Sequence, residues 1–252
     1  MYPEFYGTQN QGQTDPAVAD SSDNEEDEVE LFRRNMALKT EEWLQRPARK
    51  QVDDISRKEA AYVEGNYDYN IWYDKYLTDT QDKYKKRMPS FTKCDPEKDA
   101  GFTKADSYQK SGEAWFCVYF ARGSCTEGVN CRYYHRVPTH DDCLRQTDNI
   151  RDVFGRARHA SHKTDMTGIG SFNKECRTLY ITGVPISGGQ NPQKTATQKI
   201  YSIFSPWGEI EDIAFSTKGL RGGNRAFIKY AHRYYAEFAR EALTDQMDVL
   251  EG

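Results

Sequence analysis

The chain is poor in apolar residues, with only 37% of its 252 residues hydrophobic, so the total core it can build is small. No apolar run approaches the roughly 18 to 20 residues that span a bilayer, and the N-terminus lacks the basic-then-apolar pattern of a secretory signal. These absences predict a soluble, intracellular chain with no membrane partner. Enzyme signatures are missing as well: there is no G-x-x-x-x-G-K phosphate loop and no nucleophile elbow. The stretches "GIGSF" and "GLRGGN" are Gly-rich but lack the strand-to-helix setting of a nucleotide site. A non-enzymatic role with no small-molecule substrate is expected.

Charge is present but unevenly placed. Residues 1–66 hold 15 Asp/Glu against 8 Lys/Arg, and the remaining residues hold 24 against 27, so an acidic arm of net −7 precedes a body of net +3. The arm opens with Gln, Asp and Ser and runs to "SSDNEEDEVE". That composition buries too little apolar surface to offset its ordering entropy, which predicts disorder over 1–30. "LFRRNMALKTEEWLQR" (31–46) reads as a short helix stopped by Pro47, although its apolar residues do not fall cleanly on one face.

The six cysteines point to thiolate or metal chemistry rather than a disulfide framework. Cys117, Cys125 and Cys131 with His135 form a Cys-x7-Cys-x5-Cys-x3-His array, four ligands suited to one tetrahedral Zn2+. A segment this short cannot obtain from packing the order of 10 kcal/mol that structural zinc supplies to small fingers. With all four positions filled by protein the zinc is structural. Gly123 and Gly128 suit tight turns around the metal, and Phe120 and Tyr133 fall where CCCH-type fingers carry aromatics. His140 with Cys143, or His159, His162 and Asp165, lack a complete second ligand set, and Cys94 and Cys176 read as packed or free thiols.

"NYDYNIWYDKYL" (66–77) is dense in rings, which either build a small core or stack on bases. Residues 77–115 show no clear period. From Thr178 the periodicity returns as strand, helix, strand, strand, helix: "TLYITGV", "KTATQKIYSIFSPWG", "EIEDIAFST", "NRAFIKY" and "YYAEFAREAL". This order, with an aromatic first and third strand, resembles an RNA-recognition motif (RRM), whose open sheet face stacks bases. "LYITGV" places Tyr180 at the first signature's aromatic position. "GNRAFIKY" aligns Phe227 and Tyr230 with the second and puts Arg225 where a ring is usual, and a guanidinium plane also stacks on a base. The chain stops at "MDVLEG", where the fourth strand should begin, and is expected to be cut from a longer protein.

Seven collinear motifs, "RPARKQVD" (46–53), "NIWYDKY" (70–76), "KDAGFTKAD" (98–106), the finger (116–139), "FGRARHASHKTDMTGIGSF" (154–172), "RTLYITG" (177–183) and "AEFAREAL" (236–243), resemble a fungal family of splicing factors of the Prp-nineteen-associated complex. The fold class this implies is α+β: an irregular Torus domain built around the CCCH zinc finger, then a ferredoxin-like βαββαβ RRM with its last strand missing from this chain. The implied division is an acidic arm (1–66), a Torus domain (67–162) including the finger (115–138), a connector (163–176) and an incomplete RRM (177–252). The resemblance further implies a nuclear pre-mRNA splicing factor that contacts U6 snRNA and intron and helps hold the spliceosome's catalytic RNA. Tyr180, Phe227, Arg225, Tyr230, Phe120, Tyr133, Trp72, Tyr76 and His162 are then the expected RNA contacts, with His162 where a tyrosine is more usual. A CCCH regulator of mRNA stability and a mainly protein-binding spliceosome scaffold are the competing readings.

Overall fold

Carboxylates are favoured at the start of a helix, where unpaired backbone N–H groups carry partial positive charge. The block "SDNEEDEVE" occupies that position: in the computed structural model, helix α1 runs over Ser22–Trp43. The helix expected at 31–46 is present but begins earlier, at Ser22, inside the stretch expected to be disordered, and ends at Trp43. Its apolar residues do not share one face: Leu31 and Leu38 face solvent while Thr40 takes a core slot beside Met36 and Trp43. The Thr40 hydroxyl is satisfied by donating to the Met36 carbonyl at 2.9 Å. The structure describes residues 22–53, 69–70, 75–76, 90, 92–107, 115–145, 148–160, 169–184, 192–216, 224–244 and 246. Among them no helix is long and apolar enough to cross a membrane.

Strands β1 (Tyr69–Asn70) and β2 (Lys75–Tyr76) pair antiparallel, with Tyr69 opposite Tyr76. Short helices follow, α2 (Pro96–Asp99), α3 (Lys104–Ser107), α4 (Val118–Ala121) and α5 (His140–Arg145), with a 3-10 turn at Gly128–Asn130. The arm does not stand apart from this region. Ala48 N–H donates to the Phe102 carbonyl and Phe102 N–H to the Arg46 carbonyl, at 3.0 and 2.8 Å, so 46–51 lies across the finger like a strap. Residues 46–51 of the expected arm therefore pack with the finger region.

From Thr178 the expected order holds. Strand β3 (Thr178–Thr182), helix α6 (Pro192–Phe204), a 3-10 turn (Ser205–Trp207), strands β4 (Ile210–Ser216) and β5 (Arg225–Tyr230), and helix α7 (Arg233–Leu243) form an α/β unit. The sheet is antiparallel in the order β3-β5-β4, and β3 lies at one edge among the described strands. Alternation sends Ala226, Ile228 and Tyr230 inward, where they meet Ile200, Phe204 and Trp207.

Helix α7 has a second partner. Phe238, fully buried, has its ring centroid 6.1 Å from Phe116, 6.4 Å from Phe120, 5.7 Å from Phe154 and 6.0 Å from Trp207. It joins the sheet unit to the finger in one aromatic cluster. Carboxylates flank it. Glu241 accepts from Arg122 Nε at 2.9 Å and Arg156 Nη2 at 2.8 Å, and Arg156 Nε donates to Asp152 at 2.7 Å. Against the upward push of burial, the Arg156 and Arg122 guanidiniums hold Glu241 down at about 2. Glu237 accepts from the Val153 N–H at 2.8 Å and from Arg233 at 3.0 Å, yet burial pushes it up to about 7.

Removing one partner of a buried ion pair strands the other, so Glu241→Ala should cost about 3 to 5 kcal/mol in denaturant unfolding. Lys39→Ala, which breaks the exposed pair with Glu97, should cost under about 1 kcal/mol. The Glu237 carboxyl sits above its ordinary 4.5 in the folded chain, so its contribution is full below that pH and is lost as pH rises through about 7. Glu237→Gln should flatten that fall, measured as the unfolding midpoint against pH.

Candidate metal centre and nucleic-acid face

The metal loop is assembled from tight local structure. Cys117 caps α4, its sulfur accepting from the Phe120 N–H at 3.3 Å, and the next turn needs Gly123 at φ +71°. A side chain there would also place its Cβ 2.4 Å from the Lys93 carbonyl carbon. The 3-10 turn that begins at Gly128, φ +53°, delivers Cys131. The strap closes the loop from outside: Gln51 N–H donates to the Cys125 carbonyl, and the Cys125 N–H donates to Gln51 Oε1, both at 2.9 Å. Gln51 Nε2 donates to the Phe120 carbonyl at 3.2 Å and to Asp99 Oδ2 at 3.0 Å.

All four expected ligands come together. Cys117, Cys125, Cys131 and His135 are buried, and their ligand atoms lie within 4.8 Å of one another. Both ring nitrogens of the fully buried His135 lack a hydrogen-bond partner, a costly state for a polar group unless one of them binds a metal. The thiols crowd one another. Hydrogen bonding to Cys125 and then to Cys131 drives the Cys117 thiol well above its ordinary value, while the same bonds from Cys117 and Cys131 hold Cys125 well below. Three sulfurs this close cannot all carry charge unless a cation offsets their repulsion, and a divalent cation is the group that lets all three ionise. The donor set fits a metal ion and leaves no protein-free position for substrate. Among the described residues no other such cluster occurs; Cys94 and Cys143 are buried thiols and Cys176 is exposed.

Phe120 is not an RNA contact. It is fully buried and stacked on the His135 ring, centroids 4.8 Å apart at 18°, so it backs the ligand. Tyr133 is 46% exposed and remains available. Tyr119, 41% exposed, was missed by the sequence reading; it is the outward residue of a helix whose Val118, Phe120 and Ala121 all point in. Trp72 and His162 lie outside the described residues, and of Tyr76 only the backbone pairing is described.

On the sheet, Tyr180 and Phe227 are direct cross-strand partners on the open face, 51% and 38% exposed, with ring centroids 5.3 Å apart. The Arg225 guanidinium stands 5.7 Å from the Tyr180 ring centre. Tyr230 is a correction: it is three residues from Phe227, so the period of two sends it to the core. It is fully buried, and its hydroxyl donates to the Phe204 carbonyl at 3.0 Å. At the foot of the face, Glu211 accepts from Lys229 Nζ at 2.5 Å and from Arg177 Nη1. Hydrogen bonding from Lys229 holds the Glu211 carboxyl below its usual value.

Chelating the metal should collapse the finger: amide dispersion across 115–138 should be lost on treatment with a chelator and regained on reloading. Cys125→Ser should reproduce the loss, and Cys176→Ser should leave one metal ion per chain.

The Torus domain family model matches residues 43–156, and the RNA recognition motif model matches 189–248. The pre-mRNA-splicing factor cwc2 of Dictyostelium discoideum is 40% identical over 207 residues, 81% of this chain and 35% of that protein. The pre-mRNA-splicing factor cwf2 of Schizosaccharomyces pombe is 38% identical over 202 residues, 79% of this chain and 48% of that protein. The pre-mRNA-splicing factor CWC2 of Kluyveromyces lactis is 34% identical over 213 residues, 82% of this chain and 60% of that protein. The chain thus spans between about a third and three-fifths of the length of these relatives. Closely spaced Cys3His ligands, an aromatic open sheet face and these matches converge: the chain carries a Torus domain followed by an RNA recognition motif, and over some four-fifths of its length it is a homologue of the Cwc2 and Cwf2 pre-mRNA-splicing factors.

Proposed function

We propose that this protein is a nuclear, non-enzymatic, RNA-binding pre-mRNA splicing factor whose Cys3His centre holds one structural zinc ion. The observation that carries the reading is the Tyr180 and Phe227 pair, two exposed rings in direct register with Arg225 beside them. Rings presented this way bind single-stranded RNA by stacking, and neighbouring cations take the phosphates. The finger carries two further exposed rings, Tyr133 and Tyr119. Three thiolates and an imidazole with no vacancy suit zinc in a structural role.

In finer terms, the protein contacts U6 snRNA and the intron within the Prp-nineteen-associated complex and helps hold the catalytic RNA in its active conformation. Chemistry then stays with the RNA. Relatives named as pre-mRNA-splicing factors support this reading. The boundaries that go with it are a Torus domain ending near 162, a connector over 163–176 and an RRM from 177.

Phe227→Ala and Tyr180→Ala should each weaken binding to a single-stranded RNA by about 1 to 3 kcal/mol, read by fluorescence anisotropy. Ultraviolet crosslinking in nuclear extract should map contacts to Tyr180, Phe227, Tyr133 or Tyr119, with U6 among the captured RNAs. Unchanged affinity in both variants would mean that the face binds protein instead.

A further inference from the structure

The open face carries a feature that stacking does not use. Strand β4 has a register irregularity between Ile210 and Asp212, and Glu211 is the extra residue there. Such bulges re-aim a side chain. The Glu211 carboxylate is shared by two cations, one oxygen taking Lys229 Nζ at 2.5 Å and the other taking Arg177 Nη1. Arg177 Nη1 also donates to the Ala231 carbonyl at 3.1 Å, so the carboxylate and that carbonyl hold the guanidinium between them. Lys229 lies two residues from Phe227 on β5, hence on the same face and about 7 Å along it. Arg225 lies the same distance on the other side.

A carboxylate bridging Arg and Lys presents two anionic oxygens to them, as a phosphodiester does. All three side chains are a third or more exposed: 33% for Arg177, 39% for Lys229 and 40% for Glu211. Exposed pairs of this kind are weak and exchange readily.

We propose that Glu211 is a built-in phosphate surrogate: it positions Arg177 and Lys229 at the foot of the stacking face and is displaced by a phosphate of the RNA strand whose bases lie on Tyr180 and Phe227. This rests on the RNA-binding reading of that face. Glu211 is a positioning residue, acting on RNA through the two cations. In the free protein it keeps them off other anions and sets the place where the backbone enters. Binding then releases fewer counterions than two free cations would, because the displaced carboxylate takes up a cation of its own.

The test is a double-mutant cycle on the full chain with its metal, using a fluorescently labelled single-stranded oligouridylate titrated across a series of potassium chloride concentrations. Glu211→Gln should tighten binding on the order of threefold at low salt and steepen the slope of log affinity against log salt by about 0.7 per phosphate contact. Lys229→Met should weaken binding, and more so in the Glu211→Gln background than in the parent, since there the lysine no longer has to be taken from a partner. Additive effects with an unchanged salt slope would overturn the proposal, because a merely distant negative charge behaves that way. Phe227→Ala separates the two levels. If it weakens binding while the cycle is additive, only the role of Glu211 falls; if it leaves binding unchanged, the RNA-binding reading of the face falls with it. Equal melting temperatures for parent and Glu211→Gln assign the shifts to binding rather than folding.

Discussion

Three cysteine sulfurs and an imidazole nitrogen within 4.8 Å of one another, in a segment from Cys117 to His135, form the constraint on which the rest depends. Thiolates at that spacing repel, and a buried imidazole without a partner is costly, so the donor set fits a cation at its centre. The consequence spreads by contact. His135 lies against Phe120, Phe120 lies near Phe238, and Phe238 is the central residue of the helix that backs the sheet. An ion in the finger thus steadies the support on which the stacking face rests.

Helix α7 serves two bodies at once, and its polar residues show how. Glu237 and Glu241 are one turn apart on the helix and are almost equally buried, yet one is pushed up to about 7 and the other held at about 2. The difference is the number of guanidiniums: Glu241 is bound by both Arg122 and Arg156, whereas Glu237 has Arg233 and a backbone N–H. With the helical side of the sheet closed by this contact, the aromatic side is the one left open.

The metal ligands were legible because their spacing is itself the signal, and the strand and helix order of 178–243 was legible because its periods are clean. The failures have physical causes. The second RRM signature aligns Tyr230 along with Phe227, but counting by twos along β5 assigns it to the core. Phe120 sits where a finger carries a ring, but position in a motif does not say whether the ring faces out or backs the histidine. The start of α1 was hidden because acidic residues that look disordering in composition are stabilising in a first helical turn. Gln51 makes the bonds that close the metal loop; its motif, "RPARKQVD", is visible in the sequence, but the spacing of one polar residue from the finger gives no sign of that contact.

The strap formed by 46–51 gives the finger a lid made of the chain itself. Its backbone is tied at Phe102 and at Cys125, and Gln51 reaches the Phe120 carbonyl. These bonds tie the N-terminal segment to the same stretch of backbone that carries Cys125. Losing the strap would leave the Cys125 N–H and carbonyl without their partners at once, which links the N-terminal segment to the order of the ligand loop.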